Sequence, residues 1–144
     1  MDDKTFSDII HFAIEKEILS YNFYIKASKV VRFPRAKNMF LELAKEEEEH
    51  RKLLDNLSIE GAQSRIEGTP YLKVKDYFKE VESKPVMGYA DVLRVGIKLE
   101  EISVNLYNEL KESSKDEDLK KLFSFLAEEE AKHKMKFEEE GFDK

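Results

Sequence analysis

Apolar residues recur every third or fourth position through four long stretches of the chain, the spacing of one buried helix face. In the first stretch the walk reads Phe6, Ile10, Ala13, Glu17, Ser20, Tyr24, Ala27 and Val31. In the second it reads Ala36, Phe40, Leu43, Glu47, His50, Leu54 and Leu57. The third gives Tyr89, Leu93, Gly96, Glu100, Ser103, Tyr107 and Leu110, and the fourth Leu119, Phe123, Leu126, Glu130, His133 and Phe137. This pattern predicts helices over about residues 5–32, 34–57, 88–114 and 117–140. Thr5 and Asp8 resemble a capping box with Asp in place of Glu, Pro34 suits a first turn, and Asp116 is a candidate N-cap after Ser113 and Ser114.

The first and second helices, and the third and fourth, are joined by connections too short for anything but antiparallel hairpins. Residues 58–87 differ: they hold two glycines and two prolines, and they predict a long crossover with a small helix near 74–82. Two helical hairpins joined by one long crossover is the connectivity of a ferritin-like four-helix bundle, all-α and a single domain over residues 1–144.

Each seam is apolar except at one level, where it turns acidic. There the second and fourth stretches carry a histidine three residues after the glutamate. Sliding the chain over itself by 83 residues brings Glu17 onto Glu100, Glu47 onto Glu130, His50 onto His133 and Tyr24 onto Tyr107. The halves thus read as duplicated hairpins. An ionised carboxylate in a bundle core must be neutralised, paired or metal-bound. One helical turn separates Glu47 from His50 and Glu130 from His133, so each pair offers an oxygen and a nitrogen ligand from one face. Four glutamates supply the charge that balances two divalent cations. The predicted ligands are therefore Glu17, Glu47, His50, Glu100, Glu130 and His133, the set of carboxylate-bridged di-iron and di-manganese bundles. In the run KEEEEH of residues 45–50, Glu47 and His50 turn inward, while Glu46, Glu48 and Glu49 lie off the seam and are expected to be solvated. Tyr24 and Tyr107, two turns beyond Glu17 and Glu100, are candidate catalytic residues if their hydroxyls reach a ligand carboxylate; otherwise they are core tyrosines. His11 has no counterpart at the offset and reads as a surface residue, and Met39, Met87 and Met135 read as gap-fillers.

Composition narrows the chemistry. The chain has 144 residues, enough for one sizeable core, and is 39% charged and 41% hydrophobic with only 5 Gly and 3 Pro, which favours a folded helical domain over disorder. Without cysteine there is no disulfide, thiolate metal site or catalytic thiol. The N-terminus lacks a signal-peptide apolar stretch, and no apolar run of about 18 residues is present, so a cytoplasmic protein with no membrane association is expected. A net charge of −6 argues against nucleic acid as a partner. Fe, Mn and Zn all accept these ligands.

With these residues in place, the sequence resembles the rubrerythrin branch of the ferritin-like di-iron proteins over nearly its whole length. The resemblance implies two iron ions per chain, held by the six residues above, in a centre that reacts with hydrogen peroxide or oxygen. It matches Tyr24 to a tyrosine near the site. Typical relatives carry a rubredoxin-like domain with four cysteines; this sequence has none, which implies a separate electron donor such as rubredoxin. They also tend to carry a further glutamate one turn after the third-helix ligand, where Ser103 stands here while Glu101 faces elsewhere. That departure bears on ligand exchange and on fast peroxidase turnover.

The leading expectation is a peroxidase of oxidative-stress defence. Ferroxidase or iron-storage chemistry, an oxygenase acting on an organic substrate and a redox-silent metal-binding module are the alternatives. Flanking the seams, Phe12, Ile14, Ile18, Leu19, Phe23 and Ile25 of the first helix are apolar, as are Val92, Val95, Ile97, Leu99, Val104 and Leu106 of the third. Such broad faces predict contacts with the crossover and with a second chain, hence a homodimer. Size-exclusion chromatography with light scattering should return twice the chain mass of 16.9 kDa; a monomer at all concentrations contradicts this expectation.

Overall fold

Two helical hairpins make up the computed structural model, which describes residues 3–57 and 88–142, with side chains over 10–57 and 88–141. The first pairs α1 (Asp3–Val30) with α2 (Pro34–Asp55), and the second pairs α3 (Tyr89–Ser113) with α4 (Glu117–Phe142). No strand occurs among the described residues. The predicted crossover, its small helix and Met87 lie outside them. None of the described helices is long and apolar enough to cross a membrane.

The helix ends follow local chemistry. α1 begins at Asp3, ahead of Thr5, so Thr5 stands within the helix and not at its cap, and α1 ends at Val30, two residues short of the prediction. Pro34, which needs no backbone N–H partner in a first turn, opens α2. Asp116 caps α4 as predicted, its Oδ2 accepting a hydrogen bond from the Leu119 N–H at 3.2 Å. At the far end of α4, Glu140 is buried and accepts from Tyr89 Oη at 2.6 Å and from Arg35 Nη1 at 2.7 Å, joining the start of α2, the start of α3 and the end of α4.

The four apolar seams meet in two clusters. One gathers Ile10 and Ala13 of α1, Leu54 of α2, Tyr107 and Leu110 of α3, and Phe123 and Leu126 of α4. The other gathers Tyr24, Phe40, Leu43, Val92, Leu93 and Phe137. Each fully buried Leu or Phe contributes about 1.5–3 kcal/mol. The early residues of α1 share a cluster with the late residues of α3, and the late residues of α1 with the early residues of α3, so these two helices run antiparallel. Much of their flanking apolar surface is covered within the chain itself: Phe12, Val92, Leu99 and Leu106 are buried. Ile18 remains exposed. Met39 packs against a cluster, as expected of a gap-filler, but Met135 is exposed and fills no gap.

Gly96 of α3 leaves no space for a side chain. A Cβ built there would stand 2.8 Å from the Phe137 ring. That ring is held by Tyr24 and Phe40, with centroids at 5.6 and 5.8 Å. Alanine in place of glycine favours a helix by about 1 kcal/mol, but overpacking a core costs about 1–3 kcal/mol, and here the obstructed ring is itself packed against two others. Gly96→Ala is therefore expected to lower the melting temperature despite its better helix propensity. A calorimetric scan showing a higher melting temperature would refute this.

Candidate metal centre

The level between the two clusters is the acidic one. Glu17, Glu47, Glu100 and Glu130 are fully buried there, with His50 and His133 beside them. All six predicted ligands come together, one glutamate from each helix and a histidine from α2 and from α4. The i, i+3 spacing of helices α2 and α4 does the local work, setting each histidine one turn above its glutamate on the inward face. The two imidazoles lie nearly parallel, 12° apart with centroids at 6.0 Å.

The ligand atoms fall into two groups. One atom each from Glu17, Glu47, His50 and Glu130 lies within 4.8 Å of the others, and so does one each from Glu47, Glu100, Glu130 and His133. Glu47 and Glu130 belong to both groups, so the arrangement is that of two adjoining ion sites with two shared carboxylates. The orphaned atoms fit such a role. His50 Nδ1 lies 3.3 Å from each of Glu17 Oε2, Glu47 Oε1 and Glu130 Oε1, yet neither it nor any of those three oxygens has a properly directed hydrogen bond. Four buried polar atoms facing one another without partners are costly unless a cation holds them. On the other side, His133 Nδ1 lies 2.9 Å from Glu100 Oε2 and 3.3 Å from Glu130 Oε1.

The remaining glutamate oxygens face a different set of partners. Tyr24 Oη donates to Glu100 Oε1 at 2.7 Å, and Tyr107 Oη donates to Glu17 Oε1 at 3.1 Å. Each tyrosine therefore reaches from its own hairpin to the ligand of the other. Lys16, which the seam pattern did not single out, is fully buried. Its Nζ donates to Glu130 Oε2 at 2.9 Å, Glu17 Oε1 at 3.0 Å and Glu47 Oε2 at 3.3 Å. A second omission is Glu46, expected to be solvated. It is only partly exposed, and its Oε2 lies 3.2 Å from His133 Nε2, the nitrogen turned away from the cluster. A carboxylate behind a ligating histidine fixes the ring's orientation and raises its basicity. Glu49 is exposed as expected, and Glu48, also only partly exposed, pairs with Arg51. His11 is exposed, and Glu101 points outward to Lys134 at 3.5 Å. Ser103 bonds back to the Leu99 carbonyl at 3.0 Å.

Electrostatics mark this as one interacting cluster. Burial and the nearby Glu100, Glu130 and Glu17 push Glu47 well above the usual carboxylate range. Burial and Glu130 also raise Glu100. Burial works the same way on Glu130, but Lys16 and the two histidines overcome it and hold Glu130 well below the usual range. Burial opposes the charge of His50, yet the carboxylates of Glu130, Glu17 and Glu47 close around it raise it to about 12. His133 moves the same way beside Glu100, Glu130 and Glu46. Burial penalises the Lys16 ammonium too, and Glu130, Glu17 and Glu47 more than restore it. The tyrosines are held neutral by burial and by the adjacent glutamates, so both remain donors. Tight binding of divalent cations at six O and N ligands, with loss of the imidazole protons, is what this donor set supports.

The family model described as Rubrerythrin matches residues 8–141. No curated protein matches the chain. Among solved structures, a protein from Thermotoga maritima described as a ferritin-like diiron-carboxylate protein is similar, with 28% identity and a TM-score of 0.74. The match covers 93% of this chain and 92% of that one.

The two tyrosines differ in what their loss exposes. Without Tyr107, Glu17 Oε1 keeps its bond to Lys16, whereas Glu100 Oε1 has only Tyr24 as a hydrogen-bond donor among the described residues. Tyr24→Phe should therefore destabilise the metal-free protein by about 1–3 kcal/mol, and Tyr107→Phe by less. Equal losses in chemical denaturation would contradict this ordering.

Proposed function

Because the chain belongs to the rubrerythrin family, we propose that it is a di-iron oxidoreductase that reduces hydrogen peroxide to water with electrons from a separate donor protein. The observation that carries this reading is the pair of four-residue ligand groups sharing Glu47 and Glu130. Glu17 and His50 would complete one ion site, and Glu100 and His133 the other. When bound, two iron ions supply two reducing equivalents and a Lewis-acid surface for the peroxide oxygens. Overall, H2O2 takes up two electrons and two protons and leaves as two waters.

The protein's own share is positioning and exclusion. Tyr24 and Tyr107 hold the two unshared glutamates, each from the opposite hairpin. Glu46 stands behind the His133 ring, its carboxylate 3.2 Å from Nε2. Apolar clusters above and below the acidic layer keep bulk water from it, so the glutamates respond to bound cations and not to solvent. The sequence has no cysteine, so these residues provide no thiolate iron centre to relay electrons. A homodimer built on the apolar faces of α1 and α3 belongs to the same proposal.

The choice of peroxide over oxygen is testable directly. After anaerobic loading with Fe(II), stopped-flow mixing should show oxidation of two irons per H2O2 consumed, faster than with equal O2. Faster oxidation by O2 would overturn the peroxidase reading in favour of ferroxidase or oxygenase chemistry.

A further inference from the structure

The 83-residue repeat that pairs every predicted ligand fails at one buried position beside them. Lys16 of the first hairpin falls on Leu99 of the second. Both are fully buried, but Leu99 lies in an apolar cluster whereas Lys16 delivers its ammonium into the acidic layer. Its Nζ takes Glu130 Oε2, Glu47 Oε2 and Glu17 Oε1, the oxygens of those residues that do not face the histidines. It makes no such bond to Glu100, whose Oε1 is held by the neutral Tyr24. The ammonium therefore touches one unshared ligand, Glu17, and not the other.

A second asymmetry points the same way. Behind His133 stands the carboxylate of Glu46, 3.2 Å from Nε2. The residue at the matching place in the other half, Glu129, is turned instead to Lys132 at 3.2 Å. The ring edge-on to His50 is Phe125, with centroids at 6.3 Å. One ion site is thus backed by a carboxylate and the other is flanked by an ammonium.

We propose that Lys16 is a built-in cation of the centre that makes its two ion sites unequal. On this reading, which rests on the two-ion centre proposed above, a divalent cation enters first at Glu47, Glu100, Glu130 and His133. The site of Glu17 and His50 fills second and more weakly, because its ion must share Glu17 and both shared glutamates with an ammonium already bonded to them. Lys16 also draws Glu17, Glu47 and Glu130 together before any metal arrives, so the centre holds a form with one metal ion and one ammonium. The residue specifies the order and affinity of loading, and it does so through the ligands.

The test is equilibrium dialysis of the full chain against Co(II), read as metal per chain, for wild type, Lys16→Met and Lys16→Leu. The wild type should load in two steps separated by about tenfold or more, the scale of charge repulsion across a few ångströms of protein. In either variant the second step should tighten by about tenfold or more, towards the first. A wild type with two equal steps would overturn the proposal while leaving the two-ion centre standing, and so would variants that load like wild type. No Co(II) binding by the wild type would overturn both. Should the variants fail to fold, wild-type crystals soaked with one equivalent of Zn(II) decide the matter by anomalous scattering. The ion beside His133 supports the proposal, and the ion beside His50 overturns it.

Discussion

Four glutamate side chains buried at one level of a helical bundle are the constraint on which the rest of this structure turns. Removing even one ionised carboxylate from water costs several kcal/mol unless opposite charge and hydrogen bonds compensate. Here four are fully buried within reach of one another. The layer is tolerable because charged and hydrogen-bonding neighbours compensate it on both sides. Two histidines face one set of oxygens, while a lysine and two tyrosines face the other. The orphaned atoms around His50 show what remains uncompensated, and it is the space a divalent cation would fill.

The fold supplies the two conditions such a layer needs. Apolar clusters at either end provide the burial energy that offsets the cost of the acidic level and keep it dry. The hairpins provide registry: antiparallel α1 and α3 put Tyr24 and Tyr107 on opposite ends of the layer, each leaning back toward the glutamate of the other hairpin. Long helix side chains incline toward the N-terminus, which is why a tyrosine seven residues beyond a ligand still reaches its level. Gly96 lets the Phe137 ring close against this level. Stability and chemistry thus share the same few contacts.

Much of this was legible in the sequence because two periodicities overlap in it. The helical spacing located the seams, and the 83-residue offset singled out the residues that break them. An inward glutamate or histidine therefore stood out twice. Lys16 was missed because it sits beside the main walk, three residues after Ala13 and four before Ser20, on a flank where a lysine is ordinarily solvated. The signal that could have found it was the offset itself, which sets Lys16 against Leu99, a residue type that belongs in a core. Glu46 was missed because one helical position off the seam is still within reach of a histidine on the facing helix. Facing within a single helix says nothing of that cross-helix contact. The helix boundaries shifted by a few residues at the termini of α1, where local capping signals compete with packing.

The central claim is that the acidic layer is a two-ion centre and not a network of charges closed on itself. It is tested most directly by the metal content of the full chain after anaerobic incubation with excess Fe(II) and removal of unbound ion, measured by inductively coupled plasma mass spectrometry. The account predicts two irons per chain in the wild type and a clear loss in Glu47→Ala and Glu130→Ala, which remove the shared carboxylates. Less than half an iron per wild-type chain would contradict it, because Lys16 and the histidines would then be the layer's only cations.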